Sequence, residues 1–151
     1  MLMAVAVKSL VTRRKSTMNS AGVSMSDFVI DTFAWIEYFL GSEAGMKAGN
    51  YIESKNAITP SIVIAELSHK YSREKIDFSD KLKFILFNSR IADLDAETAN
   101  EAGIISTINK KKSRNWGMAD SIILATSLKF NAKVVAGNEH FRDIENVIMI
   151  K

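Results

Sequence analysis

Short apolar segments alternate with longer helical ones along most of this chain. No other feature constrains its fold as much. Phe28-Val29-Ile30 is a short apolar run ending at Asp31, too brief for a helix and suited to a buried strand. Thr32 to Leu40 follows with Phe33, Ile36, Tyr38 and Phe39, and Gly41 stops it as a helix C-terminus does. A second helix is predicted from about Glu43 to Ser54. Ala57-Ile58-Thr59 reads as a second strand, punctuated by Pro60, with Ser61 opening a helix to about Ser72. A further helix is predicted over Ser79 to Asn88, a short strand over Ile91 to Leu94, and a helix from about Ala96 to Lys112 on the spacing of Ala96, Ala99, Gly103, Ile104 and Ile108. Met118 to Phe130 reads as a helix, Lys133 to Ala136 as a strand and Val147 to Ile150 as the last strand. Strands joined by helical crossovers pair in parallel and are covered on both faces. The expected fold is therefore α/β, a three-layer α/β/α sandwich around a central parallel sheet.

The whole chain has 151 residues and a formal charge of +3, but that basicity is local. Residues 1–24 hold Lys8, Arg13, Arg14 and Lys15 and no acid, so four of the positive charges lie there and the rest of the chain stands at −1. Residues 1–24 read as a disordered extension, which an internal start at Met18 or Met25 would remove, and residues 25–151 as one domain. Any argument for nucleic acid must therefore come from local patches. The chain has no cysteine, which excludes disulfides, thiolate metal sites and a cysteine nucleophile; two histidines make an all-histidine zinc site a poor fit. No apolar run approaches the roughly 20 residues needed to span a bilayer, and the basic cluster follows the apolar Met1–Val7 segment, the reverse of a signal peptide. The expectation is a cytoplasmic protein without a membrane anchor.

Three carboxylates stand out by their company. Asp31 ends the first strand, Glu66 lies within Ile62-Val63-Ile64-Ala65-Glu66-Leu67, and Asp120 precedes Ser121-Ile122-Ile123-Leu124-Ala125. Each alone has an ordinary reading: Asp31 as a helix N-cap, Asp120 as an acid in a first helical turn, Glu66 on a solvated face beside His69, Lys70 and Arg73. Together they say more. A carboxylate in an apolar setting needs a partner, and ligands of α/β sheets gather at the carboxyl ends of strands. A sheet built as read brings all three there. Converging carboxylates repel and raise one another's pKa, and a divalent cation such as Mg2+, bound by a few carboxylates, water and substrate phosphate, relieves them.

These residues resemble a known family. Val29-Ile30-Asp31-Thr32-Phe33-Ala34-Trp35 is similar to the opening of PIN domains of the VapC toxins, and Thr59-Pro60-Ser61-Ile62-Val63-Ile64-Ala65-Glu66-Leu67 to their second motif. Ala119-Asp120-Ser121-Ile122-Ile123-Leu124-Ala125-Thr126 resembles the third, and Val134-Val135-Ala136-Gly137-Asn138-Glu139-His140-Phe141 the fourth. The order and spacing agree from Met25 to Lys151. The resemblance implies an endoribonuclease dependent on Mg2+ or Mn2+, a homodimer, and an antitoxin protein that silences it. It implies that Asp31, Glu66 and Asp120 bind metal and activate water, and that Thr32 bonds within the acidic cluster or to metal-bound water. Asn138 stands where that family carries a fourth Asp, so the resemblance offers Asn138 or Glu139 as a weaker further ligand. The alternative is a degenerate PIN domain that binds RNA or an antitoxin without cutting.

Lys110, Lys111, Lys112 and Arg114 form the densest basic cluster after residue 25, with Trp116 beside it. They are expected to contact RNA, the cations meeting phosphates and Trp116 stacking on a base. His69 and His140 have no spacing that ties them to the acids. Trp35, Tyr38 and Phe39 are expected in the core or a dimer interface, and the Phe84–Phe87 stretch is a candidate antitoxin surface. No Gly-x-Gly-x-x-Gly or P-loop is present, and the phosphatase pattern of a second Asp two residues after the first fails at Phe33.

Overall fold

The computed structural model describes residues 26–151. The extension expected over residues 1–24, and the domain border expected at Met25, lie outside the described residues. Five strands and six α-helices follow one another: β1 (Phe28–Ile30), α1 (Thr32–Leu40), α2 (Glu43–Ile52), β2 (Ala57–Pro60), α3 (Ser61–Arg73), α4 (Ser79–Asn88), β3 (Arg90–Ala92), α5 (Ala96–Asn109), α6 (Met118–Phe130), β4 (Lys133–Ala136) and β5 (Val147–Met149). A 3-10 turn over Glu139–Phe141 lies between the last two strands. The elements are those read from the sequence. Their ends differ by a few residues at α2, α5 and β3, where no cap residue fixes them in advance.

All strand pairs are parallel, in the order β3-β2-β1-β4-β5. β1 sits at the centre, with Phe28 beside Ala57 on β2 and beside Lys133 on β4. The chain first winds outward from β1 to β3. It then crosses back through α5 and α6 to lay β4 on the other side of β1. The sheet therefore has its topological switch point between β1 and β4, where open α/β sheets hold their ligands. Helices cover the sheet as a sandwich because every strand of a parallel sheet has two faces to bury. Among the described residues no helix is long and apolar enough to cross a membrane.

The centre of the molecule is α6. Seven consecutive residues, Ser121 to Ser127, are buried, and it packs on α5, α3, β1, β2 and β4. Its polar side chains bond inward: Thr126 Oγ1 donates to the Ile122 carbonyl at 2.8 Å and Ser127 Oγ to that of Leu124 at 2.6 Å. A helix surrounded on all sides has no polar face to keep. On α1, Trp35 is buried and gathers Tyr38, Phe39 and Phe84 around it. α2 folds back closely on α1, so closely that a Cβ at Gly45 would stand 2.0 Å from the Glu37 carbonyl oxygen; only glycine allows that contact.

Candidate active site

Asp31 leaves the carboxyl end of β1 and caps α1. Its Oδ1 accepts the Ala34 N–H at 2.7 Å, and its own N–H donates to the Val135 carbonyl of β4 at 3.1 Å. The residue is 2 % exposed. Burial, aided by the charges of Asp120 and Glu66, pushes its carboxyl up to about 7, against the backbone N–H groups of Ala34 and Gly137 that favour the charged form. The cap reading of Asp31 is thus correct, and the cap bond holds one oxygen still.

Glu66 projects from α3 and is half-buried. Thr32 Oγ1 donates a short hydrogen bond to its Oε2. Burial holds the Glu66 carboxyl above the usual range; the Thr32 bond opposes this and the charge of Asp120 adds to it. Asp120 stands at the third position of α6, where its Oδ2 accepts the Gly117 N–H at 2.9 Å. The solvated-face reading of Glu66 therefore fails, and the first-turn reading of Asp120 holds as its local anchor. Three carboxylates, from the cap of α1, the second turn of α3 and the first turn of α6, share one field at the switch point.

These carboxylates do not form a closed cage. Among the described residues no group of three or more His, Asp or Glu side chains is assembled as a ready-made metal site. The donor set does suit a hard cation that keeps part of its water, as Mg2+ does. All three side chains offer oxygen, each is held by a protein partner, and the buried Asp31 is the kind of carboxylate that a cation returns to its charged form.

Asn138 and Glu139, the further ligands expected in the turn after β4, are exposed. Glu139 is taken by Arg142 in a two-bond pair, both at 2.6 Å, which holds its carboxyl below the usual range. Lys110, Lys111, Lys112 and Arg114 are exposed on the connection between α5 and α6. A cleft of about 440 Å³ runs from Asn109, Lys112 and Asn115 to Glu139, His140 and Asp143.

Two expectations need correction. Trp116 is only 2 % exposed, so its faces are not open to a base. Its Nε1 donates to Ser121 Oγ at 2.7 Å, and its ring packs against His140 and Phe141. His140, which sequence spacing left unconnected, lies with Nε2 3.2 Å from Asp120 Oδ2. The only signal for it was its place just after the central strand β4, whose end returns to the rim that carries Asp31. His69 is exposed on α3. Phe33 covers Gly137, where a Cβ would stand 2.1 Å from the ring.

Away from this rim, Leu86 and Phe87 form an exposed apolar pair on α4, Phe87 at 90 % exposure, whereas Phe84 is turned into the core. A cavity of about 570 Å³ lies at the opposite ends of the strands, between Asp27, Asn56 and Arg90. It holds no member of the acidic cluster.

The PIN domain family model matches residues 28–147. A search of the curated proteins finds no match. Among solved structures, the chain is similar to one in a toxin–antitoxin complex from Klebsiella pneumoniae, at 17 % identity and TM-score 0.67 over 83 % of this chain and 98 % of that one. It is similar to a chain of DNA-bound VapBC from Salmonella typhimurium, at 20 % identity and TM-score 0.66 over 84 % and 100 %. A third is a sarcin-ricin loop cleaving toxin of Mycobacterium tuberculosis, at 16 % identity and TM-score 0.62 over 80 % and 97 %. At these identities the likeness is one of fold.

Proposed function

The chain belongs to the PIN domain family, and on that premise we propose that it is a metal-dependent endoribonuclease of the VapC toxin type, neutralised by an antitoxin protein. The observation that carries this reading is the meeting of Asp31, Glu66 and Asp120 in one charge-coupled cluster at the switch point of the sheet. A buried carboxylate with two others beside it is unstable as mere structure and useful as a binding site for a cation.

Asp31, Glu66 and Asp120 would hold the Mg2+ or Mn2+, which when bound would supply the positive charge that lets them ionise together and the Lewis acidity that phosphodiester hydrolysis needs. The protein's own part is positioning. Asp31 offers a carboxylate fixed by the Ala34 amide, Thr32 orients Glu66, and the Gly117 amide holds Asp120. Lys110, Lys111, Lys112 and Arg114 stand on the connection that leads to Asp120 and would draw the phosphate backbone of an RNA strand. The toxin–antitoxin settings of the Klebsiella and Salmonella neighbours support an antitoxin partner, and the sarcin-ricin loop cleavage of the Mycobacterium neighbour supports a nucleic-acid-cutting role. A homodimer working in the cytoplasm completes the reading.

The test is cleavage of a mixed-sequence labelled RNA by purified protein with Mg2+ or Mn2+, set against chelator and against Asp31→Asn. Cutting that needs the cation and disappears in the variant is expected. Absence of both cutting and cation binding would leave a PIN domain that binds RNA or its antitoxin without catalysis.

A further inference from the structure

His140 has a buried Nε2 that makes no hydrogen bond. The Asp120 carboxylate lies 3.2 Å away, close enough for charge contact but too poorly aligned for a hydrogen bond. Leaving a polar nitrogen buried and unpaired is costly, and such an atom beside a cluster of carboxylates calls for a partner. The ring is not free to find one elsewhere. Trp116 packs edge-on against it at 5.3 Å between ring centres and Phe141 lies at 5.1 Å. Trp116 is in turn pinned to Ser121, the residue after Asp120. One packed unit therefore sets both the imidazole and the carboxylate.

We propose that His140 Nε2 is a direct ligand of the cation held by the acidic cluster, so that the site is a mixed nitrogen–oxygen one that takes Mn2+ in preference to Mg2+. This rests on the nuclease reading for the presence of a cation and adds the residue that selects it. Neighbouring ligand atoms in a six-coordinate shell with bonds of about 2.1 Å stand about 3.0 Å apart, close to the 3.2 Å between Asp120 Oδ2 and His140 Nε2. The two residues expected to supply the further ligand do not compete: Asn138 is exposed and Glu139 is paired with Arg142. An imidazole nitrogen is a softer donor than a carboxylate oxygen, and it favours transition metals over Mg2+.

The experiment is pulsed electron paramagnetic resonance of Mn2+ bound to the full chain, with calorimetric titration of Mn2+ and Mg2+ alongside. The wild type is expected to show electron spin echo modulation from a directly bound nitrogen. The signal should vanish in His140→Gln and persist in His69→Gln, the only other histidine. His140→Gln should lower Mn2+ affinity about 10- to 100-fold and Mg2+ affinity much less. The wild-type spectrum alone tests the idea even if the His140 variant folds poorly. Mn2+ bound through oxygen alone, with metal-dependent RNA cutting intact, overturns the His140 ligand and leaves the nuclease standing. An equal loss of both cations in His140→Gln, without nitrogen coupling, overturns it in favour of His140 merely bracing Asp120. No binding of either cation removes the nuclease reading together with the ligand.

Discussion

Asp31 gives the cation-free protein a pH dependence whose sign follows from burial. Burial pushes its carboxyl up to about 7 in the fold, from its ordinary 3.8 in the open chain. Between those values the unfolded state has lost a proton that the native state keeps, so stability falls as pH rises. The loss begins above the unfolded value and is complete once the pH has passed about 7. A shift of this size corresponds to at most about 4 kcal/mol. Asp31→Asn keeps an oxygen for the Ala34 amide and has no charge to bury. Denaturant unfolding in chelator is therefore expected to show the wild type weakening from pH 4 to 7, and the variant weakening less and being the more stable of the two at pH 8. Parallel profiles for the two proteins would show that Asp31 is not the group responsible. A buried carboxylate that costs stability in this way is a common mark of a site.

At the scale of elements, the rim of the sheet depends on how α1 meets the loop after β4. The Phe33 ring occupies the space in which Gly137 has no side chain, and a Cβ there would meet ring atoms at 2.1 Å. Gly137→Ala is expected to destabilise the protein by about 1–3 kcal/mol through overpacking. Phe33→Ala in the same chain should recover much of that loss, which thermal unfolding of the two single variants and the double variant will measure. Additive losses would mean that the two residues are not coupled. In α5 the spacing of Ala96, Ala99, Gly103, Ile104 and Ile108 predicted a helix, and the helix is there; its buried residues are Thr98, Ala102, Ile105 and Ser106, and Ile104 is exposed. Small and apolar residues lie all round that helix, so its sequence marks no single side.

For the molecule as a whole, a cation bound only by the native state must stabilise it by mass action. At a free Mn2+ concentration 100 times the dissociation constant, stability should rise by about 2.7 kcal/mol, read as an increase in Tm by scanning calorimetry. Replacing Asp31, Glu66 and Asp120 together by Asn, Gln and Asn should abolish the increase. An undiminished shift in that variant would place the cation elsewhere. The effect belongs to the whole fold because the three side chains come from the end of β1, from α3 and from α6, and no single element carries all three.

Alternation of strand and helix patterns was enough to read a parallel α/β sandwich, because burying both faces of each strand demands continuous apolar runs and crossover helices. Asp31, Glu66 and Asp120 were legible as a trio because each interrupts or borders a segment with no water to offer. Spacing along the chain could not show which distant side chains meet. The exposed loop sequence around Trp116 did not reveal that its ring is inside, held by Ser121 and packed against the turn after β4. His140 joins Asp120 only because β4 returns to the centre of the sheet beside β1 and the 3-10 turn after it faces the start of α6. Local propensity and hydrophobic pattern act between near neighbours in sequence and so can be read from it. The contacts of Trp116 and His140 with the start of α6 join residues brought together only when the strand order is set, and that is a property of the folded sheet.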